Sequence, residues 1–243
     1  MAIQGATPRY WPVWPWIAAP KPARNDGFEG LAQTDPLPCI QPLAHRLRQC
    51  GIVGHPSGIY NLPMDRTLTH WINAAAGSSS VLDAAMLATT RFGIPIIVLC
   101  VVLQWWSKDD RVHIRHTSIA AGLAFLIGLA FNQAILLFIQ RVRPYDAGIS
   151  NLIIERSGDW SFPSDHATAS FAIAATFALH ALRRRAILFL LMSLLIAYSR
   201  IFVGTHYLSD ILGGALTGIV AAVLVRWSYH EGSRLDRFAT GIL

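Results

Sequence analysis

Residues 117–144 read TSIAAGLAFLIGLAFNQAILLFIQRVRP, an uncharged apolar run that ends in Arg141, Arg143 and Pro144. A helix needs about 20 apolar residues to cross a bilayer, and this run is long enough. Proline commonly follows a helix end. Charged residues at the end of an apolar segment are costly and usually functional. The stretch therefore predicts a membrane helix whose end carries functional arginines.

Four further apolar runs place this stretch in a helical series. They cover residues 92–106, 167–181, 186–205 and 211–225. Three of them are about 15 residues long, so they need flanking residues to cross a bilayer, and shorter runs are often buried core helices instead. Five runs in succession, several joined by short basic connections and none showing strand alternation, favour the membrane alternative. We expect an all-α, polytopic membrane bundle of about five transmembrane helices.

The distribution of basic residues predicts the orientation of this bundle. The chain carries a net charge of +6, and no basic stretch interleaves with aromatic residues as nucleic-acid binding would require. One side of a five-helix arrangement carries nine basic residues: Lys108, Arg111, Arg115, Arg183, Arg184, Arg185, Arg226, Arg234 and Arg237. The other side carries six: Arg66, Arg91, Arg141, Arg143, Arg156 and Arg200. The positive-inside rule makes the first side cytoplasmic and the second extracytoplasmic.

Composition divides the chain into three parts. Residues 1–63 are rich in proline and contain no membrane-length apolar run, so we expect a disordered extension. Cys39 and Cys50 lie there, where a disulfide is possible. Met64 is an alternative natural start, because residues 64–73 form a short amphipathic lead-in to the first apolar run. Residues 64–230 are the predicted membrane domain, and 231–243 a cytoplasmic tail.

Three more polar motifs flank the apolar runs. They are Pro163-Ser164-Asp165-His166, Ser199-Arg200, and His206 with Asp210. Antiparallel helices bring the ends of the second and fourth runs beside the starts of the third and fifth. All the motifs therefore converge at one membrane face, which we expect to be a site on the extracytoplasmic side.

The residue types of the two histidine motifs suit acid–base and nucleophilic chemistry. His206 and Asp210 are four positions apart, on one helical face, so the carboxylate can orient the imidazole. A helix-end histidine beside an exposed aspartate is an equally good interpretation of this pair alone. Ser164 is a candidate N-cap, and His166 follows it at a helix start, where backbone N–H groups favour anions. Taken alone, His166 is better explained as another polar helix-start residue.

The arginines indicate that the site binds an anion and not a metal ion. Arg143 and Arg200 can grip phosphate oxygens with a planar fork of donors. A single arginine here would be explained by snorkelling to the head groups, whereas arginines beside both histidines favour a phosphate clamp. Two histidines and a carboxylate can also bind a metal, but neighbouring arginines repel a divalent cation. We expect no metal and no cofactor.

Together these residues resemble the type-2 phosphatidic acid phosphatase superfamily. Its pattern has three parts: a lysine, six residues and Arg-Pro; Pro-Ser-Gly-His; and Ser-Arg, five residues, His, three residues, Asp. The third part is complete here, the second has Asp165 in the glycine position, and the first ends in Arg143-Pro144. Leu136 replaces the family's lysine, and Arg141 is a candidate substitute. The resemblance covers about residues 64–227.

The resemblance implies a phosphohistidine mechanism. His206 would attack phosphorus with Asp210 orienting it, and His166 would protonate the leaving oxygen and then activate water. Arg143, Ser164 and Arg200 would hold the phosphate oxygens, and Asp165 would offer only its backbone N–H.

The pattern is most similar to the bacterial undecaprenyl-diphosphatase branch. A polyprenyl diphosphate substrate in the inner (plasma) membrane, with the site facing the periplasm or exterior, is the expectation. Phosphatidic acid or a lipid A phosphate is the alternative substrate, and a non-catalytic lipid-phosphate binder is the alternative class. The partners implied are this lipid substrate and membrane lipids, with no nucleic acid, and the oligomeric state stays open.

Overall fold

The computed structural model describes residues 63–241. The predictions for residues 1–62, including the disordered extension and the Cys39–Cys50 disulfide, lie outside this part of the chain. Within it every regular element is helical. The elements are α1 (Pro63–Asn73), α2 (Ser80–Leu103) with a 3-10 turn (Gln104–Trp106), α3 (Arg111–Phe138), α4 (Asp165–Leu179), α5 (Arg183–Phe202), α6 (Leu208–Ser228) and α7 (Arg234–Thr240).

The prediction of an all-α bundle with about five apolar helices is confirmed. Within residues 63–241, four segments are long and apolar enough to cross a membrane: Ser80–Trp106, Arg111–Phe138, Arg183–Phe202 and Leu208–Ser228. The predicted run at 167–181 corresponds to α4, which has 15 residues and is about 22 Å long at about 1.5 Å per residue. α4 is therefore too short to span a bilayer core of about 30 Å by itself.

The short helix α4 lies at the centre of the bundle. It packs against α3, α5 and α6, and nine of its 15 residues are buried. Small residues permit the close approach: a Cβ at Gly218 of α6 would collide with the carbonyl of Thr168 on α4. Small residues at helix contacts are typical of membrane bundles, where backbone proximity replaces the hydrophobic drive.

The outer faces of the long helices are apolar. Exposed large side chains on α5 include Leu188, Leu191 and Leu195. Such continuous apolar surface is rare on a water-soluble monomer and common on a lipid-facing helix. The predicted first run, at 92–106, extends back to Ser80, because Ser79 caps the helix by accepting a hydrogen bond from the Leu82 N–H.

Four helix termini meet at what we call the motif end, which comprises residues 139–166 and 199–210. Backbone hydrogen bonds join the segments: Ser161 N–H donates to Arg141 O at 2.9 Å, and Ser164 N–H donates to Asp210 O at 3.1 Å. The opposite end comprises the start of α3 and α7. The predicted convergence of the motifs is thus present.

The lead-in helix α1 is amphipathic with its polar side inward. Asp65, Thr69 and Asn73 recur every four residues and are buried, whereas Met64 and Trp71 are exposed. The polar side binds the motif end: Thr69 Oγ1 accepts from the Leu208 N–H at 3.1 Å, and Asn73 Nδ2 donates to Phe202 O at 2.7 Å. α1 is therefore fixed to both ends of the α5–α6 connection.

Candidate active site

A polar cavity of about 220 Å³ opens at the motif end. Helices α3, α4 and α5 contribute to its wall, together with the 139–164 loop and the α5–α6 connection. Its lining residues are Gln133, Leu136, Arg143, Ser157, Asp159, Trp160, Pro163, Asp165, His166, Arg200 and His206. By contrast, the groove between α4 and α5 is lined mainly by aliphatic side chains such as Ile187 and Leu190. Of these two cavities, the one at the motif end therefore holds most of the charged lining residues.

The cavity collects most of the predicted site residues. Five of them line it: Arg143, Asp165, His166, Arg200 and His206. Ser164 lies between two lining residues and is itself buried. Asp210 contacts His206 from behind, and Arg141 lies elsewhere.

His206 presents its two ring nitrogens to different surroundings. Nδ1 is 2.9 Å from the carbonyl oxygen of Ser161, and because a carbonyl only accepts, Nδ1 carries the proton. Nε2 is then free and lies 3.5 Å from NH1 of Arg143. Burial lowers the pKa of His206; Asp210 opposes this, and Arg200 and Arg143 add to the lowering. A neutral imidazole with an unprotonated Nε2 is the form that can act as a nucleophile.

Asp210 is fully buried at the start of α6. Its Oδ2 lies 3.6 Å from Nδ1 of His206, which is too long for a good hydrogen bond but close enough to favour positive charge on the ring. The same oxygen accepts hydrogen bonds from the Ser161 hydroxyl and from the Tyr207 N–H at 2.8 Å. The predicted proximity of Asp210 to His206 is present, but the predicted shared helical face is wrong, because His206 precedes the first residue of α6. The direct partner of Nδ1 is the Ser161 carbonyl.

Arg143 is held in place by backbone carbonyls. Its Nε donates to Asp159 O at 2.9 Å, and NH1 donates to Thr205 O at 3.0 Å. A weaker contact joins NH2 to Ser157 Oγ at 3.3 Å. Because no carboxylate neutralises the guanidinium in these contacts, its charge remains available to an anion in the cavity.

Two buried donors in this region lack a protein partner. Nε of Arg200 and Oγ of Ser164 have no hydrogen-bond partner among the described residues. Unsatisfied buried polar groups are costly and usually have a functional explanation. A phosphate oxygen would satisfy both kinds of donor. Ser164 also occupies the predicted N-cap position of α4, although its side chain makes no capping hydrogen bond.

Asp165 stands where the family pattern has glycine. Its Oδ1 accepts a hydrogen bond from Nδ2 of Asn132 at 2.7 Å, and Asn132 also donates to Thr168 Oγ1 at 2.8 Å. The carboxylate is thus anchored on α3. Its side chain nevertheless lines the cavity, so the cavity is less positive than its arginines alone would make it.

Arg141 is placed away from the cavity. Its NH2 donates to Asp65 Oδ2 at 2.6 Å, and NH1 donates to Asp210 Oδ1 at 2.6 Å. Helix α3 ends at Phe138, so residues 140–143 are non-helical. The two arginines are separated by their partners: backbone carbonyls beside the cavity hold Arg143, whereas two carboxylates hold Arg141. Leu136 occupies the position of the family's lysine, and it forms this part of the cavity wall together with Gln133, one turn away on α3.

Sequence reasoning missed Ser161 and Asp65. Ser161 supplies a carbonyl to His206 and a hydroxyl to Asp210, and Asp65 supplies a carboxylate to Arg141. Ser161 lies 45 positions from His206, so no spacing rule connects them. Asp65 gave one weak signal, a carboxylate in the lead-in helix. Within residues 63–241 no group of three His, Cys, Asp or Glu side chains is arranged to hold a metal ion.

Membrane-length helices that end at a buried cluster of arginines and histidines define a polytopic membrane protein with a site suited to an anion. The PAP2 superfamily profile matches residues 115–234. The undecaprenyl-diphosphatase BcrC of Bacillus subtilis (strain 168) is 32% identical over 155 residues, which cover 63% of this chain and 78% of that protein. The chain belongs to the PAP2 superfamily, as the motifs predicted.

Two solved structures share the fold. The Aquifex aeolicus LpxE structure has a TM-score of 0.56 and 22% identity, covering 70% of this chain and 98% of that chain. A PAP2-type phosphatidylglycerolphosphate phosphatase from Bacillus subtilis has a TM-score of 0.53 and 21% identity, covering 71% and 87%. The protein is therefore a multi-pass membrane protein of a lipid-phosphatase family.

Proposed function

We propose that this protein hydrolyses a polyprenyl diphosphate, undecaprenyl diphosphate in particular, to the monophosphate through a phosphohistidine intermediate. The observation that carries this proposal is the His206 ring, whose Nδ1 is bound by the Ser161 carbonyl and whose Nε2 lies beside Arg143 in the cavity. A nucleophile oriented by a hydrogen bond on one side and facing an anion clamp on the other suits in-line phosphoryl transfer.

In the first step, Nε2 of His206 attacks the terminal phosphorus. The bond from phosphorus to the bridging oxygen breaks. His166, protonated when the anionic substrate binds beside it, donates that proton to the oxygen as the lipid monophosphate leaves. Arg143, Arg200 and Ser164 hold the equatorial oxygens, where charge stabilisation supplies most of the catalysis. Asp210 stabilises the positive ring.

In the second step, His166 removes a proton from water, and the water oxygen attacks the phosphohistidine. The N–P bond breaks, inorganic phosphate leaves, and His206 returns to its neutral form. Both histidines line the same cavity, so one can act as the nucleophile while the other transfers protons.

The substrate assignment rests on the BcrC relative, which carries the name undecaprenyl-diphosphatase. The proposed location is the bacterial inner membrane with the cavity facing outward, supported by the excess of basic residues in the turns at the opposite end. Recycling of an outward-facing lipid diphosphate would serve cell-wall synthesis.

Phosphate release by purified protein tests the proposal. We expect release from undecaprenyl diphosphate that exceeds release from phosphatidic acid and from a lipid A phosphate. A His206→Ala variant should lose nearly all release, and His230→Ala, which changes an exposed histidine, should match the wild type. Equal release by wild type and His206→Ala would overturn the catalytic assignment, and preference for another lipid would overturn the substrate.

Detection of an acid-labile phosphorylated form of the protein tests the phosphohistidine intermediate. A rapid quench with ³²P-labelled substrate should trap label on His206, stable in base and lost in acid. A His166→Ala variant should accumulate any label it forms, because water activation is impaired. Phosphate release without trapped label in either protein would favour direct attack by water.

Membrane-impermeant maleimide tests the orientation. In a background without Cys39, Cys50 and Cys100, an Arg156→Cys variant at the motif end should be labelled on intact spheroplasts. An Arg234→Cys variant at the opposite end should be labelled only after lysis. The reverse pattern would place the cavity in the cytoplasm.

Chelation tests the expectation of metal-independent chemistry. Activity should persist in excess EDTA, because the arginines supply the positive charge that a metal would otherwise provide. Activity that disappears with EDTA and returns with an added divalent cation would overturn it.

A further inference from the structure

Asp65 reaches the motif end from the lead-in helix α1. Its side chain is 6% exposed, and both of its oxygens are engaged. Oδ2 accepts from Arg141 NH2 at 2.6 Å and from Ser209 Oγ at 2.6 Å, and Oδ1 accepts from the Ser209 N–H at 2.9 Å. A buried carboxylate with these partners fixes the first turn of α6, which also carries Asp210.

Arg141 joins this carboxylate to Asp210. Its NH1 donates to Asp210 Oδ1 at 2.6 Å and its NH2 to Asp65, and its guanidinium stacks on the Tyr207 ring at 3.9 Å. All three charged side chains are at least nine-tenths buried. One guanidinium therefore lies between two carboxylates, and its orientation is fixed on each side and by the aromatic face.

We infer that Asp65 and Arg141 are positioning residues that act on His206 through Asp210, so that α1 is part of the catalytic unit. This inference rests on the proposed function. Arg141 holds Asp210 Oδ1, which leaves Oδ2 for Ser161, the Tyr207 N–H and the His206 side of the carboxylate. Asp65 in turn holds Arg141, and prevents it from pairing with Asp210 alone.

The arrangement also sets how much negative charge His206 senses. The charged groups facing His206 are Arg143 from the loop, Arg200 from α5 and Asp210 from α6. The titratable His166 from α4 lines the same cavity. Arg141 and Asp65 lie behind Asp210. Removing the positive charge of Arg141 leaves Asp210 uncompensated and favours protonation of His206. Removing the negative charge of Asp65 has the opposite effect, because Arg141 then compensates only Asp210.

The test is the acidic limb of the kcat/KM profile in paired variants. Arg141→Gln should move the limb to higher pH, and Asp65→Asn should move it to lower pH, each by roughly 0.5 pH unit at the separations of neighbouring buried charges. Both variants should lower kcat with little change in KM, because neither side chain touches phosphate. Asp109→Asn, which neutralises an exposed carboxylate at the opposite end, should leave the limb and kcat in place.

Two further variants separate positioning from folding. Arg141→Lys and Asp65→Glu keep the charges and should retain the wild-type limb even where kcat falls. A general loosening of the fold would instead move the limbs of Arg141→Gln and Asp65→Asn in the same direction, and that result would overturn the inference. A large rise in KM for Arg141→Gln would also overturn it, since it would make Arg141 a phosphate ligand.

A titration of His206 keeps the inference independent of turnover. In protein labelled with ¹³C-histidine, the resonance absent from His206→Ala reports its protonation directly. Opposite shifts of its midpoint in Arg141→Gln and Asp65→Asn are expected whether or not undecaprenyl diphosphate is the substrate. Unchanged midpoints in both would overturn the positioning role, whereas a wild type inactive on every lipid phosphate would overturn the function alone.

Discussion

A buried histidine–aspartate pair lies at each end of the bundle, and the two pairs are built differently. At the motif end, His206 Nδ1 is 3.6 Å from Asp210 Oδ2. At the opposite end, His116 Nδ1 is 2.8 Å from Asp236 Oδ1, and each of these two side chains is 1% exposed. By distance alone, His116 and Asp236 form the stronger hydrogen bond of the two pairs.

The surroundings of the two pairs reverse that judgement. The His116 ring stacks on Tyr229 with a centroid distance of 4.7 Å, and the Tyr229 hydroxyl donates to Asp236 Oδ1 at 2.6 Å. Asp236 also accepts from the Gly232 N–H at 2.8 Å, so this pair fastens α7 to α3. His206 instead faces Arg143 and a cavity. A histidine–aspartate pair is therefore structural or catalytic according to the arginines and the space beside it.

The strongest test of this difference is removal of each histidine. His206→Ala should lower phosphate release by about 1,000-fold or more, because a nucleophile has no substitute. His116→Ala should keep most of the wild-type turnover per folded molecule. Steady-state release by purified protein measures both. Comparable losses of activity in the two variants would show that the surroundings of a pair do not determine whether it is catalytic or structural.

The contrast also shows what the sequence could predict. His206 and Asp210 are four positions apart, and the sequence predicted them on one helical face. In the structure only Asp210 belongs to α6, while His206 precedes the N-cap Tyr207, so their short separation along the chain, rather than helical periodicity, keeps them together. The motifs converge because the helices alternate in direction. His116 and Asp236 are 120 positions apart, and no local rule pairs them. The Ser161 carbonyl is a backbone group whose role depends on the path of the 139–164 loop. The approximate number of apolar helices could be predicted from the sequence. The contacts between distant segments could be identified only from the three-dimensional structure.

Substitutions in the His116–Asp236 pair should reduce stability more than substitution of His206 does, which is the reverse of their effects on activity. Asp236→Ala removes the shared acceptor of His116, Tyr229 and Gly232, and should cost about 3 kcal/mol of unfolding free energy, as expected for breaking a buried pair. His206→Ala should cost less, since it leaves the Asp210 contacts with Arg141 and Ser161 in place. Unfolding in detergent micelles, followed by circular dichroism, compares them. Equal costs would contradict a purely structural role for the opposite end.

The pH dependence of stability checks the same assignment. Burial opposes ionisation of Asp236, but hydrogen bonds from Tyr229, Gly232 and His116 outweigh it and lower the Asp236 pKa. Its contribution is therefore present above the ordinary aspartate pKa of about 4 and is lost as pH falls through the lowered value. Asp236→Asn should be less stable than the wild type at neutral pH, and the difference should shrink on acidification. A difference that grows below pH 4 would contradict this.

The arginines of the two ends should differ by a smaller factor. Arg143→Gln should lower kcat/KM by roughly 100-fold, the loss expected for one charged donor to a phosphoryl transition state. Arg115, at the opposite end, donates to the carbonyl of Thr240 at 3.0 Å, and Arg115→Gln should change kcat/KM little. Kinetics with undecaprenyl diphosphate measure the two variants. A similar loss in both would mean that the arginines act through overall charge.

The smallest expected effect concerns the protonation of His206. Because burial lowers its pKa, His206 should stay neutral below the ordinary histidine value of about 6.5, and the free enzyme should keep its nucleophile at mildly acidic pH. Substrate phosphate also titrates near pH 6, so the reaction of diethyl pyrocarbonate with neutral imidazoles, resolved by mass spectrometry, is the cleaner measurement. Modification of His206 should persist below that ordinary histidine value. If its midpoint coincides with the ordinary value, the buried environment of the motif end does not distinguish its histidine from a solvated one.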